Sequence, residues 1–568
     1  MTTMRNRAKE TTKTASTLSA NKIAPGHVTA GFPPDLIQPT FRQTALLCLF
    51  LFAVALCINL YHIGDPSLWF DETLSVTRAW QPLPVLFQIV SVTQPNMALY
   101  YFVLHFWLDF TGLFGIHATE AVVRLPSALL AACGSLLFYS LARRFFGLRI
   151  GCLAALLYLL NTQQLTYAQE TRAYALQIFL LSLSWYALLM LISSDLTRRR
   201  ALAWWLCFIL SSTLAVYAQL FTELMLATQA LAMALLCIIP TIWRARVRQR
   251  IGQLLLSWLC LGILLLPILY ASRVGSKTGW LPVPRPDDVY HLFLTICGQS
   301  HYLLAFFTVI IGLGLFVTLL SARRGGQEQL RQLRLVPTEE IAAGQWQQRF
   351  VQLLPLAILL LCWLICPVAI SYLVSQKATR LFSPRYLVVI VPAFVLLIAL
   401  GLSVLRWRAL QMLLGLGLLL LSLRTLPNYY LNAQVEDWRT GTQWIQQYFQ
   451  PGDGLICYDN SEGCAVDIEY YLQTYPHGPA HFDADSPGYF SWVNYDATNQ
   501  LGNYRLALDI NAIQLYGTQH PRIFFGIGRA DSNDPQVQPT IRWLNAHYHL
   551  LVTEVTSTLT IYLYDTTT

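Results

Sequence analysis

Eleven apolar stretches of the chain are long enough to cross a bilayer, at roughly 44–60, 121–142, 150–166, 174–192, 202–219, 222–242, 253–271, 301–320, 353–374, 386–405 and 409–425. The hydrocarbon offers no water to backbone N–H and C=O groups, so runs of this length have to satisfy those groups internally as helices. The expected fold class is an α-helical polytopic membrane protein with about 11 transmembrane helices. Composition agrees, since 55% of the 568 residues are hydrophobic and 12% are charged. Mean hydropathy is +0.46, outside the range of an ordinary soluble enzyme of this length.

Arginines set the expected orientation. They crowd the connections at Arg143, Arg144 and Arg149, at Arg198 to Arg200, from Arg244 through Arg250, from Arg323 through Arg349, and at Arg406 and Arg408. With the polar segment 1–43 read as a disordered cytoplasmic tail, all of these fall on the cytoplasmic side. An odd number of spans then places the C-terminal part outside. That part is acidic: residues 426–568 hold 5 Arg, no Lys and 15 Asp or Glu, a net −10, against +18 for the rest of the chain. The organisation expected is a tail over 1–43, a membrane module over 44–426 and an extracytoplasmic α/β domain over 427–568. The whole is an integral, multi-pass protein of the plasma (inner) membrane.

The segment ALYYFVLHFWLDF, Ala98 to Phe110, has only 13 residues, and as a span it would invert every later arginine cluster. It is read as an amphipathic helix lying in the outer interface. The first outer loop then covers 61–120 and carries the acidic pair Asp71-Glu72. Two readings fit that pair: first-turn residues favoured by a helix dipole, or carboxylates that work on a substrate.

Outer loops should be poor in cations, yet SQKATRLFSPRY, Ser375 to Tyr386, holds Lys377, Arg380 and Arg385, and the loop after Leu269 adds Arg273, Lys277 and Arg285. Arginine forks match phosphate oxygens, so Arg385 at the start of a span suits a lipid phosphate at headgroup depth. For Arg380 and Lys377, snorkelling to ordinary phospholipid headgroups fits as well. Together with Glu170, Arg172 and Glu223 at other outer turns, these residues suggest proton removal from a hydroxyl while a cation-held phosphate departs. Nucleic acid is excluded as a partner, because the topology already explains the basic clusters.

The motifs WFDE (Trp69 to Glu72), QPNMALYYFVLHFW (Gln94 to Trp107), VVRLPSALLAACGSLLFYSLARRFFG (Val122 to Gly147), YAQETRAYAL (Tyr167 to Leu176) and SPRYLVVIVPAF (Ser383 to Phe394) occur in this order. In order and spacing the chain resembles the GT-C superfamily of polyprenyl-phosphate-sugar-dependent glycosyltransferases, in its branch of protein O-mannosyltransferases and lipid A aminoarabinose transferases. The resemblance implies catalytic roles for Asp71, as base, with Glu72 beside it and Glu170 as a second acid. It implies substrate contacts at Gln94, Tyr100, Arg172, Lys377, Arg380, Arg385 and Tyr386. The implied reaction is inverting transfer of a hexosyl or pentosyl group from a polyprenyl-phosphate-linked sugar donor to a glycan, lipid or protein acceptor at the outer membrane face.

Relatives carry His-Pro-Pro or Glu-Lys-Pro-Pro where this chain has Gln94-Pro95-Asn96. A neutral Gln is a poor metal ligand, so a divalent cation, Mg or Mn, stays unassigned. The alternative to a transferase is a polytopic transporter or lipid flippase of the cell-envelope glycan pathway. Against it, the chain shows no two-fold internal repeat, and its acids lie at helix ends.

In the terminal part, DWRTGTQWIQQYFQ reads as a helix, GLICYD and PRIFFGIG as strands, PTIRWLNAHY as a helix and HLLVTEVTSTLTIYLYD as a hairpin. Its Tyr and Trp residues suit either a core or sugar stacking, and its expected role is capping or acceptor selection. Of 12 cysteines only Cys457 and Cys464 lie here, and spacing leaves a disulfide and two free thiols equally open.

Overall fold

The computed structural model describes residues 40–567 except 274–277, 324–328, 330–339, 378, 406, 461–462, 476–480, 484, 491, 493–503 and 530–532; for 340–352 and Thr93 only the backbone is described. The tail expected over 1–43 thus lies outside the described residues up to residue 39. So do Lys277, Arg406 and most of the basic stretch from Arg323 to Arg349.

Among the described residues, nine helices are long and apolar enough to cross a membrane by length and composition. The chain is a multi-pass membrane protein. One of the nine, Glu120–Leu159, is two limbs joined at Gly147, whose φ of 83° lies in the left-handed region that favours glycine. The limbs fold back so closely that a Cβ on Gly151 would stand 2.7 Å from the Arg143 Cα. Counting these limbs separately and adding the 17-residue helix Thr222–Ile238 gives helices in each expected stretch, but the one expected over 150–166 ends at Leu159 and gives way to a separate helix, Thr162–Ala168.

The helix Pro384–Ser403 is almost wholly buried and forms the axis of the bundle. Glycines allow its closest crossing: a Cβ on Gly314 would lie 2.6 Å from the Gly401 Cα, the small-residue packing typical of membrane helices. Beside it Trp185 and Trp363 stack with ring centroids 4.8 Å apart. At one end of the bundle Arg144 donates to the Ser194 hydroxyl (2.6 Å) and Arg246 pairs with Asp195 (3.0 Å). Three of the arginine-rich connections, around 143–149, 198–200 and 244–250, therefore share one face.

The loop 61–120 is largely helical: Phe70–Ala79, Leu83–Gln88 and Ala98–Gly112. The last buries Tyr100, Tyr101, Leu104 and Leu108 while Phe106, Phe110, Leu113 and Phe114 are exposed, as an interface-seeking helix requires.

The last transmembrane helix runs through Pro427 to Leu431, a few residues beyond the expected boundary. The terminal domain that follows holds a four-stranded sheet of order β1-β2-β4-β3: β1 Gly454–Tyr458, β2 Arg522–Gly528, β3 His549–Val555, β4 Leu559–Asp565. β1 and β2 are parallel and the other pairs antiparallel. Cys457 and Cys464 form a disulfide (Cα–Cα 5.7 Å) that ties β1 to the helix Gly463–Thr474.

This domain is fused to the loop 61–120. One apolar cluster contains Leu68, Val76, Tyr100 and Tyr101 from the loop and Trp438, Tyr470, Tyr471 and Phe524 from the domain. At the seam the Tyr471 hydroxyl accepts the Leu68 N–H (2.7 Å), Tyr470 donates to the Ala118 carbonyl (2.7 Å), and Arg439 pairs with Glu120 (2.9 Å).

Candidate active site

The acidic pair sits in the first turn of the helix Phe70–Ala79, whose buried face begins at Glu72. Successive helical residues point about 100° apart, so the two carboxylates face different surroundings. Glu72 is fully buried and clasped bidentately by Arg124, with Nε–Oε1 at 2.9 Å and Nη2–Oε2 at 2.7 Å. The Thr171 N–H adds a third bond to Oε1 at 2.7 Å. Arg124 spends its remaining donors on the carbonyls of Ile63, Pro66 and Ser67. With these three bonds Glu72 anchors the turn ahead of Asp71, and it also borders the cavity that Glu170 lines.

Asp71 faces the other way. Its Oδ2 lies 3.0 Å from Arg385 Nη1 and 3.5 Å from Arg172 Nη2, and about a fifth of its side chain is exposed. Arg172 also donates from Nη1 to the Asp71 carbonyl (2.8 Å) and the Ser75 hydroxyl (3.1 Å). It therefore holds the helix turn as well as the carboxylate. Arg385 stands in the first turn of its helix behind Pro384, whose fixed φ suits that position. Its guanidinium lies between two indoles, 5.3 Å from the Trp69 ring and 5.4 Å from that of Trp280. Cation–π contact of this kind fixes the fork while leaving its edge open to an anion. The structure thus joins residues 71, 172 and 385, which the sequence placed on one membrane face without pairing them.

Glu170 lines a neighbouring cavity of about 250 Å³ whose walls include Trp69, Gln163, Thr166, Tyr429 and Asn432. One of its carboxylate oxygens, Oε2, is buried without a partner. Burial, reinforced by the negative charge of Glu72, pushes its carboxyl up to about 8. Such a shift favours the protonated carboxyl, which can donate a hydrogen bond.

The remaining expected contacts scatter. Tyr100 is fully buried, its hydroxyl 3.1 Å from that of Ser127, which corrects its expected substrate contact to a packing role. Arg380 turns back onto the carbonyls of Ser375 and Lys377, closing its own loop. Lys377 is exposed. Tyr386 stacks on Phe221 at 5.8 Å, next in sequence to Arg385. Gln94 is half-buried just before the Ala98–Gly112 helix, while its neighbour Asn96 accepts the Leu220 N–H (3.2 Å). Sequence reasoning missed Trp69 and Trp280 as partners of Arg385. The available signal was a Trp beside each charged outer motif, in WFDE and in the TGWLP segment of the loop carrying Arg273 and Arg285.

Among the described residues no group of three or more His, Cys, Asp or Glu side chains is placed to hold a metal ion. The donor set at Asp71, two guanidiniums beside one carboxylate, does not fit a divalent cation.

Residues 94–270, less than half of the chain, match the family described as dolichyl-phosphate-mannose-protein mannosyltransferase. No curated protein matches. Among solved structures, ArnT from Cupriavidus metallidurans in the apo state superposes with a TM-score of 0.57 at 13% identity, over 92% of this chain and 98% of that one. Its form bound to undecaprenyl phosphate gives 0.56 at 12% identity with the same coverage. The fold is that of ArnT. The GT-C resemblance read from the motifs therefore holds at the level of fold. The ArnT-like fold also takes in the terminal domain, since the match extends over nine-tenths of the chain.

Proposed function

We propose that the chain is an inverting glycosyltransferase that moves a hexosyl or pentosyl group from a polyprenyl phosphate to a hydroxyl acceptor at the extracytoplasmic face. The observation that carries this reading is the contact between Asp71 and Arg385, a carboxylate about a fifth exposed and a guanidinium side chain about a third exposed. A donor phosphate arriving at headgroup depth competes with Asp71 for the Arg385 fork, because it can take two parallel N–H bonds where Asp71 takes one. Donor binding thereby draws Arg385 off Oδ2, leaving Arg172 (3.5 Å) as its remaining cationic partner as it turns to the acceptor.

In the transfer step the acceptor O–H proton passes to Asp71 and the acceptor oxygen bonds to the anomeric carbon. The bond from that carbon to the phosphate oxygen breaks, and the electron pair leaves with the polyprenyl phosphate. Arg385 offsets the charge growing on the departing phosphate. Arg172 keeps the Asp71 turn in place. Protonated Glu170 donates to a hydroxyl of the sugar from the adjoining polar cavity. A disulfide in the terminal domain agrees with an oxidising compartment on that side, and the shared face of the arginine connections agrees with a cytoplasmic location opposite.

The test uses protein in proteoliposomes, undecaprenyl-phosphate hexoses and pentoses labelled in the sugar, and a membrane extract as acceptor. Label moving to an acceptor with release of undecaprenyl phosphate is the expected result. Label that crosses the bilayer while still on its lipid would replace this reading with a flippase.

A further inference from the structure

A second pocket, of about 270 Å³, opens where the C-terminal end of the Phe70–Ala79 helix meets the terminal domain. Its walls include the rings of Trp80, Tyr489, Phe490 and Trp492 and the amides of Gln81 and Gln473. Aromatic side chains at such a seam ordinarily close on one another to native density. Here the rings leave a space and are fixed from behind.

Trp80 stacks on Tyr470 with centroids 5.6 Å apart and planes 21° from parallel. The Arg78 guanidinium, bonded to the Tyr101 hydroxyl at 2.8 Å, lies 5.0 Å from the Trp492 ring. Phe490 meets Trp492 edge-on at 4.8 Å. Ring planes held this way cost little to order when a ligand arrives.

Polar groups narrow the ligand class. The Glu469 carboxylate is engaged by His481 (2.5 Å) and the Phe482 N–H (3.0 Å), and Arg78 sits behind an indole. The Gln473 amide donates to Glu469 (3.0 Å) and the Gln81 amide to the Thr77 carbonyl (3.0 Å), so each keeps its oxygen as an acceptor beside the aromatic rings, a poor lining for a phosphate or an acyl chain. A saccharide fits both: its C–H face covers an aromatic ring and its hydroxyl edge exchanges bonds with amides. Trp80 stands nine positions after Asp71, about 14 Å along the helix and about half a turn round it, so a glycan reaching both places passes round the helix.

Resting on the transferase reading above, we propose that this pocket is a saccharide subsite that holds a neutral acceptor glycan and directs one of its hydroxyls toward Asp71. The terminal domain then supplies half of the acceptor site.

The experiment is saturation-transfer NMR on the full-length protein in nanodiscs with four soluble probes: maltohexaose, mannohexaose, chitohexaose and an arabinofuranose hexamer. At least one is expected to bind, about tenfold more weakly to Trp80→Ala, and more nearly as in wild type to Trp80→Phe. Gln473→Ala, at an exposed position, is expected to weaken binding without disturbing the fold. Binding by none of the four, or unchanged binding to both alanine variants, overturns the proposal. Asp71→Asn separates this outcome from the fate of the transferase reading. Saccharide binding with no sugar transfer by wild type sinks only that reading, and transfer without saccharide binding sinks only the subsite.

Discussion

Glu72→Gln is expected to act on stability. The side chain is fully buried, it keeps its volume on substitution, and the change therefore adds no cavity. What changes is the partner of Arg124, whose side chain is 5% exposed and makes two bonds to the carboxylate. One of the acceptor oxygens becomes an NH2, which meets a donor wherever it turns, since Arg124 and the Thr171 N–H are both donors. Removing one member of a buried ion pair costs about 3–5 kcal/mol, a large share of the ~5–15 kcal/mol typical of a folded protein. Arg124→Met is expected to cost at least as much, because the carbonyls of Ile63, Pro66 and Ser67 lose their donor too. The two costs should not add, since both remove the same pair. Thermal inactivation half-lives in nanodiscs, measured for both variants and their double, provide the assay, because membrane proteins of this size seldom unfold reversibly. Wild-type half-life in Glu72→Gln together with lost transfer would refute the anchoring role and return Glu72 to the chemistry.

Other outcomes follow from the same geometry. Arg385→Ala is expected to weaken undecaprenyl-phosphate binding at least about tenfold, and Arg385→Lys to restore only part of it, because a point charge lacks the fork; equal binding by all three in a lipid-competition assay would remove Arg385 from the phosphate site. Glu170 binds its proton more tightly folded than unfolded, its carboxyl being raised from 4.5 to about 8. Stability should therefore fall as pH rises through this window, and Glu170→Gln should abolish that part of the fall, read from inactivation rates between pH 5 and 8.5. Glu436 of the terminal domain accepts the Phe70 N–H (2.8 Å) at the start of the Asp71 helix and is itself held by the Trp438 indole N–H (2.7 Å). Glu436→Ala should cost about 1 kcal/mol of helix capping and lower kcat with KM for the donor little changed; a KM effect alone would contradict this positioning role.

How much of this was legible in the sequence depends on the range of the interaction. Apolar runs report the solvent directly, so the membrane character of the chain and the hairpin of the terminal domain could be read, while the break after Leu159 could not. The arginine rule placed Asp71, Glu170, Arg172 and Arg385 on one face. It could not pair Asp71 with Arg385, which are 314 positions apart, because which outer loops touch is decided by helix packing. Nor could it separate Asp71 from Glu72. Adjacent acids differ only in which turns toward Arg124, and that arginine read as part of a helix rather than as a partner. The docking of Tyr471 and Glu436 onto the first outer loop was hidden for the same reason, so the terminal domain looked like an independent cap.

The most direct test of the account is a single-turnover comparison of wild type with Asp71→Asn, loaded with the undecaprenyl-phosphate sugar that wild type uses. The account predicts that Asp71→Asn binds this donor at least as tightly, because Arg385 no longer has a carboxylate to leave, and that sugar transfer falls by roughly 10²–10⁴-fold, as removal of a general base requires. Transfer at the wild-type rate by Asp71→Asn, with donor bound, would contradict it.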